Sequence, residues 1–141
     1  MVLGSYVDDA FGGANSRERA LLTMNTLTII GKATGAEFNL DKSEGPAREL
    51  VVIGLCYSSI RQTCRLGVDK REKYIGRVLR ALTHKEVTSA FLSKLAGNLS
   101  FAAWVEPFCR PLLSSVFMLI VPDEPSTTIA LPPFTRRALQ I

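Results

Sequence analysis

Two adjacent carboxylates, Asp8 and Asp9, are the residues of this 141-residue chain whose types and spacing could do chemistry. They follow Tyr6 and Val7, which favour extended backbone. A second short run of strand-forming residues comes after them and ends at Gly12 and Gly13. Because aspartate accepts tight-turn geometry, the stretch predicts a β-hairpin with both carboxylates at its tip. Adjacent negative charges repel each other unless a cation neutralises them, and hard oxygen ligands suit Mg²⁺. A solvated surface turn is the alternative interpretation of the same stretch.

The tetrapeptide Tyr6-Val7-Asp8-Asp9 resembles the Tyr-x-Asp-Asp hairpin of reverse transcriptases, which is part of the polymerase palm. The resemblance implies RNA-directed DNA polymerase chemistry, a nucleotidyl transfer in which two Mg²⁺ ions hold the attacking and leaving oxygens. It makes Asp8 and Asp9 the catalytic metal ligands. It also implies that Tyr6 and Val7 lie beside the primer terminus and the deoxynucleotide triphosphate.

Two further features match this family in their order along the chain. Lys42 follows the first predicted helix, where reverse transcriptases carry a lysine near the incoming triphosphate, and it is expected to act on the leaving pyrophosphate. The residues Ile53-Gly54-Leu55 match the primer-grip hairpin, in which Gly54 allows close approach of a sugar-phosphate backbone. Without the resemblance, a solvent-facing loop lysine is the favoured interpretation of Lys42, and Gly54 fits a bulge or a tight packing contact.

The carboxylate hairpin is predicted to lead into a helix over residues 14–34. Asn15 with Glu18 approximates a capping box, Ser16 is an alternative cap, and Gly35 is placed to end the helix.

The apolar run 49–57 predicts a single strand, buried on both faces at its centre. A turn at 58–59 is expected to join it to a partner strand within residues 60–66.

A second, strongly basic helix is predicted to begin at an Asp69 cap, with Glu72 as the third-position partner of that cap. Residues 61–85 hold eight Lys or Arg against two acidic residues. Apolar residues share one face of this helix, and Lys73, Arg77 and Arg80 share the opposite face. Such a cationic stripe suits a phosphate backbone, and a merely solvated face is the alternative.

The remaining helices resemble the thumb of retrotransposon polymerases. A third helix is predicted from a Thr88 cap to about Val105, with Gly97 explained by close helix–helix contact, and a fourth over 112–120. The thumb pattern reads Leu-x-Gly-x-Leu-x-Phe/Tyr followed by Arg-Pro, and it occurs here at 95–101 and 110–111. Residues 101–108 are similar to those of DIRS-like elements.

The predicted fold class is therefore α+β. Residues 1–68 form the C-terminal part of a polymerase palm, consisting of a β-hairpin, a helix and a second β-hairpin. Residues 69–121 form an α-helical thumb, and the Pro-, Ser- and Thr-rich residues 122–141 form a linker or tail.

Composition narrows the function classes. The chain is 47% hydrophobic and carries a net charge of +4, which fits a globular domain with a polyanionic partner such as an RNA/DNA primer–template. Three cysteines without C-x-x-C spacing and a single histidine argue against a disulfide framework, a zinc site and a catalytic triad. We expect a reducing intracellular compartment, cytoplasmic or nuclear, and no membrane partner, because no signal or spanning segment is recognisable.

A two-metal polymerase needs a further carboxylate and a fingers segment, and neither precedes the hairpin in this sequence. The sequence therefore predicts a fragment that is inactive alone, whose missing fingers and palm segment is encoded upstream. Two alternatives stay open: a non-catalytic nucleic-acid-binding or interaction module built from the helical half, and a non-functional retroelement remnant.

Overall fold

A computed structural model describes residues 2–6, 9–36 and 38–140. Helices alternate with small sheets of two or three strands, so the fold class is α+β, as predicted. The chain divides into two compact units, Met1–Thr63 and Cys64–Ile141, and each is described by itself. The assignment of these units to a palm and a thumb stays a prediction.

The first unit consists of two hairpins separated by a helix. Strands β1 and β2 pair antiparallel, and so do β3 and β4. A short 3₁₀ turn lies between the helix and the second hairpin. In chain order the elements are β1 (Val2–Tyr6), β2 (Asp9–Gly13), α1 (Arg17–Thr34), the 3₁₀ turn (Leu40–Lys42), β3 (Glu49–Val52) and β4 (Leu55–Ser58).

Helix α1 begins and ends where its local signals predict. Of the two predicted caps, Ser16 is the one used, and its hydroxyl accepts a hydrogen bond from the Arg19 amide at 3.3 Å. Gly35 ends the helix in the left-handed conformation with φ 78°. Capping is a local interaction, which explains why the sequence alone locates both ends.

The prediction of one strand over residues 49–57 is wrong. The chain reverses at Ile53-Gly54, where both residues have positive φ (54° and 78°), and Val52 pairs with Leu55. The expected burial on both faces is also wrong, because Val51 is 54% exposed. A continuous apolar run does not reveal an internal turn when the turn lacks the usual Asn-Gly or Asp-Gly signal.

The second unit holds the main buried cluster of the described residues. Strand β5 (Thr63–Leu66) spans the boundary between the units, and the elements after it are α2 (Val68–Thr83), β6 (Glu86–Thr88), α3 (Ser89–Ala102), a 3₁₀ turn (Pro107–Cys109), α4 (Arg110–Phe117), β7 (Thr128–Ala130) and α5 (Pro133–Ala138). Helix α3 packs against both α2 and α4. The core cluster comprises Ala81, Val87, Leu92, Leu95, Ala96, Val116 and Leu131.

Of three predicted details of these helices, the Asp69 cap and the role of Gly97 are wrong and the Thr88 cap is confirmed. Helix α2 begins after Gly67, with no side-chain cap, and Asp69 lies within its first turn. The predicted Thr88 cap of α3 is present, and its hydroxyl accepts from the Phe91 amide at 3.2 Å. Gly97 is exposed, and a Cβ there would meet nothing within 4 Å, so it does not serve a helix–helix contact.

Residues 122–141 differ from the predicted linker. Strand β7 pairs antiparallel with β6, and Leu131 and Thr135 are buried. The Arg136 guanidinium donates hydrogen bonds to the carbonyls of Leu82 at 2.7 Å and His84 at 2.9 Å. Prolines here start a helix and flank a strand, so their number reflects packed structure and not a free segment.

Candidate functional site

The carboxylate-bearing hairpin has a register that ends at Tyr6 and Asp9. Cross-strand pairs run from Val2–Gly13 to Tyr6–Asp9. The Phe11 ring lies over its partner Gly4, where a Cβ would come within 2.8 Å of the ring. A residue with a Cβ at this position would require the ring to move, so the pair favours this register. Val7 and Asp8, the two residues between the strands in sequence, lie outside the described residues.

The donor types at this hairpin fit one Mg²⁺ better than two. Mg²⁺ is usually held by one or two carboxylates together with substrate phosphates, and each ion takes about six oxygen ligands. Asp8 and Asp9 supply the carboxylates, whereas a two-metal site needs further ligands. Within the described residues, no group of three or more His, Cys, Asp or Glu is arranged to hold a metal.

Lys42 lies at the end of the 3₁₀ turn and is exposed. Its backbone amide donates to the Asn39 carbonyl at 3.2 Å, and the Asn39 side chain accepts from the Asp41 amide at 3.1 Å. The turn is thus held by its own backbone and by Asn39. The Lys42 ammonium has no hydrogen bond or ion pair with a described residue, which leaves it available to an anion.

The predicted primer-positioning residues share one tight turn. Ile53 and Gly54 form the two-residue turn between β3 and β4, and Leu55 begins β4. Positive φ at both central residues is the geometry of a type I′ turn. They lie at the tip of a hairpin and not along one strand, and their role in positioning a primer stays a prediction.

The predicted cationic residues of α2 have different environments. Lys73 and Arg80 are exposed, whereas Arg77 is partly buried close to Tyr74. Burial raises the pKa of the Tyr74 phenol above its ordinary value, and the nearby Arg77 charge offsets part of that rise because it favours the phenolate. Arg77 is therefore tied to the packing of α2 as well as being a candidate phosphate ligand.

Aromatic rings of α3 lie beneath two cations of α2. The Lys70 ammonium is 3.9 Å from the centroid of the Phe101 ring, and the Arg80 guanidinium carbon is 5.4 Å from that of Phe91. The start of α2 therefore lies beside the end of α3, and Lys70 and Arg80 lie where the two helices meet. Lys70 was missed in the sequence, although it lies one turn before Lys73 on the same face.

A second group missed in the sequence lies on α4. Arg110, Ser114 and Phe117 are spaced i, i+4 and i+7, which puts them on one face of that helix. Together with Trp104 they line an open cleft. The spacing was visible in the sequence, but Arg110 was considered only as half of an Arg-Pro pair.

Comparison with protein-family models, with curated proteins and with solved structures gave no match. Among the helices of the described segments, none combines the length and the apolar character needed to cross a bilayer.

Proposed function

We propose that this chain supplies the catalytic hairpin and the thumb of an RNA-directed DNA polymerase. The observation that carries the proposal is the antiparallel pairing of β1 with β2, whose last pair, Tyr6 with Asp9, brackets Val7 and Asp8 in the sequence. Paired strands give a rigid support to carboxylates that lie at or next to their ends. The second hairpin, with Gly54 at its tip, and the basic helices that follow agree with the same proposal in their order.

The chain's own residues divide the work of nucleotidyl transfer. Asp8 and Asp9 would hold Mg²⁺, which supplies charge stabilisation for the attacking 3′ oxygen and the departing pyrophosphate. Lys42 is exposed and unpaired among the described residues, so it can neutralise negative charge on the pyrophosphate. The turn at Ile53 and Gly54 would position the primer strand against the hairpin.

Two adjacent carboxylates are too few ligands for two ions, so this proposal includes a further palm carboxylate and a fingers segment from elsewhere. The test fuses the chain to a reverse transcriptase segment that supplies both and measures RNA-templated extension of a DNA primer. We expect extension that requires Mg²⁺ and falls by on the order of 10³-fold in Asp8→Asn, because a metal ligand contributes several kcal/mol to the transition state.

Asp41→Asn is the matched control, because Asp41 is an exposed carboxylate on the 3₁₀ turn. Its extension rate is expected to equal that of the unchanged fusion. Equal rates for Asp8→Asn and the unchanged fusion would reject the metal-ligand role. A fusion that melts cooperatively in urea yet neither extends a primer nor binds Mg²⁺ by calorimetry would reject the function itself.

A second candidate function is nucleic-acid binding without catalysis by the helical unit. Charge distribution favours it: Cys64–Ile141 holds 11 Lys or Arg and 6 Asp or Glu, a net +5, whereas Met1–Thr63 holds 6 and 7, a net −1. This candidate needs Lys73, Arg77 and Arg80 but neither aspartate of the hairpin. If this second function is correct, the chain should bind a duplex, and Asp8→Asn should leave the affinity unchanged.

A further inference from the structure

Helix α4 has one face in the core and another in solvent. Leu113 and Val116 are 8% and 1% exposed and anchor the helix in the second unit. Arg110, Ser114 and Phe117 share a different face because they recur at i, i+4 and i+7. Core packing therefore fixes the direction in which these three side chains point.

The outward face of α4 meets the end of α3 in a cleft of about 430 Å³. On the α3 side its lining residues are Ser100, Ala103 and Trp104. Ala103 and Leu113 are almost fully buried and form the floor, whereas Trp104 is 75% exposed and Phe117 51% exposed. Two large aromatic side chains thus border a single opening and remain available to a planar ligand.

The polar groups of this cleft favour an anion. Its lining contains no Asp or Glu, and the Arg110 side chain has no hydrogen bond or ion pair with a described residue. The Ser114 hydroxyl donates to the Pro111 carbonyl at 2.7 Å, so its oxygen remains able to accept from a ligand N–H. A guanidinium that is free of partners binds phosphate in a bidentate manner.

We propose that this cleft binds an unpaired nucleotide of a single-stranded nucleic acid. The base contacts the faces of Trp104 and Phe117, and the adjoining phosphate pairs with Arg110. Every base has a face that can stack on an aromatic ring, so the site is tolerant of sequence. The net +5 of the surrounding unit attracts a polyanion and disfavours a second copy of the same unit.

This site differs from the cationic stripe of α2 in ligand and in chemistry. The stripe offers charges to the backbone of a duplex, whereas the cleft needs a base that is free to leave the stack. The proposed nucleotide site does not depend on polymerase activity. Failure of the fusion to extend a primer would therefore not contradict it.

Trp104 is the only tryptophan of the chain, so its fluorescence reports on the cleft directly. The full chain is titrated with a short oligothymidylate, and binding is followed in parallel by the anisotropy of a labelled oligonucleotide. We expect quenching of Trp104 by the oligonucleotide. An otherwise identical strand without bases should bind about tenfold more weakly and leave the fluorescence unchanged.

Variants assign the binding to particular residues. Trp104→Leu and Arg110→Gln should each weaken oligonucleotide binding, measured by anisotropy, about tenfold. Trp104→Phe keeps an aromatic ring and should therefore retain most of the affinity that Trp104→Leu loses. Phe134→Leu and Arg137→Gln are matched controls, because both residues are exposed on α5 outside the cleft. The oligonucleotide affinity of each control variant should stay within about twofold of that of the unchanged chain. Urea melts of every variant establish that it is folded.

Three results would overturn the proposal. The first is an absence of quenching at low salt. The second is an equal loss of binding in Arg110→Gln and Arg137→Gln, which would indicate general charge attraction. The third is sedimentation that shows a dimer, dissociated by Trp104→Leu and indifferent to the oligonucleotide, which would make the cleft an interface between copies.

Discussion

At the scale of single residues, Ile53 has the least expected conformation among the residues that the structure describes. Its φ of 54° is uncommon for a residue with a β-branched side chain, and left-handed geometry costs such a residue about 1–2 kcal/mol. Strain of this kind persists where the surroundings impose it, and it is concentrated at functional sites. Ile53 is also one of the residues proposed to position the primer. The strained backbone and the proposed role in positioning the primer therefore coincide at Ile53.

The substitution Ile53→Asn is expected to stabilise the first unit by about 1 kcal/mol. Asparagine tolerates positive φ, and Asn-Gly is the preferred pair for a two-residue hairpin turn. The measurement is the urea midpoint of the full chain. Ile60→Asn serves as the control, because Ile60 is 66% exposed and is not among the residues with positive φ. A lower midpoint for Ile53→Asn than for Ile60→Asn would show that the turn stores no strain.

At the scale of elements, three of the predicted caps are correct because their signals are local, although the equally local Asp69 cap is not used. The caps Ser16, Gly35 and Thr88 each act within a few residues, and the structure uses all three. The run 49–57 failed because its turn depends on backbone conformation at Ile53, which a pattern of apolar residues does not encode. The same applies to the candidate motif at residues 53–55, whose residues are proposed from the sequence while the turn that they form is not evident there.

Long-range pairing explains why the prediction of a linker over residues 122–141 failed. Strand β7 is three residues long and is stabilised by β6, about 40 residues earlier in the chain, so composition alone suggested a linker. Gly97 was assigned to a helix contact because that is the usual reason for glycine within a helix. The structure shows open space there and gives no reason for this glycine.

Helix α2 should make the stability of the chain sensitive to alkaline pH. The pKa of Tyr74 is raised in the folded state, so above a pH of about 10 the unfolded chain loses this proton more readily than the folded chain. Stability from this group is present below that pH and is lost as the pH rises through the folded pKa. Tyr74→Phe should therefore flatten the fall of the urea midpoint between about pH 9 and pH 11.

Two variants test the assigned cause. Arg77→Gln removes the charge that favours the phenolate, so it should raise the pKa of Tyr74 further in an ultraviolet titration of tyrosinate. Tyr57→Phe is the control for the pH profile, because Tyr57 is 46% exposed. A profile that changes equally in Tyr57→Phe and Tyr74→Phe would contradict the role of Tyr74.

At the scale of the whole molecule, the charge of +4 is unevenly distributed. The first unit is close to neutral, and the second carries the whole excess of positive charge. The carboxylates proposed for metal binding and the α2 cations proposed for contacts to a phosphate backbone thus belong to different units. Such a division suits a protein whose two units meet different parts of one polyanionic ligand.

Duplex binding should depend on salt through the second unit. The triple variant Lys73→Gln, Arg77→Gln and Arg80→Gln is expected to bind a primer–template duplex more weakly and to reduce the slope of log affinity against log salt by about 3. The control neutralises three exposed cations of the first unit, Arg17, Lys32 and Arg48. Equal effects of the two triple variants would mean that net charge alone governs binding, and an absence of binding at low salt would exclude this function.

The hydrogen bonds of Arg136 bear on the order in which the chain can fold during synthesis. Its guanidinium bonds to carbonyls 52 and 54 residues earlier, and Leu131 belongs to the same core as Ala81 and Leu95. The two hairpins and α1 need only neighbouring residues, so they can form soon after leaving the ribosome. The helical unit cannot close until residues 128–136 have emerged. A ribosome that pauses before then holds a nascent chain with apolar helices uncovered, the kind of surface that chaperones bind.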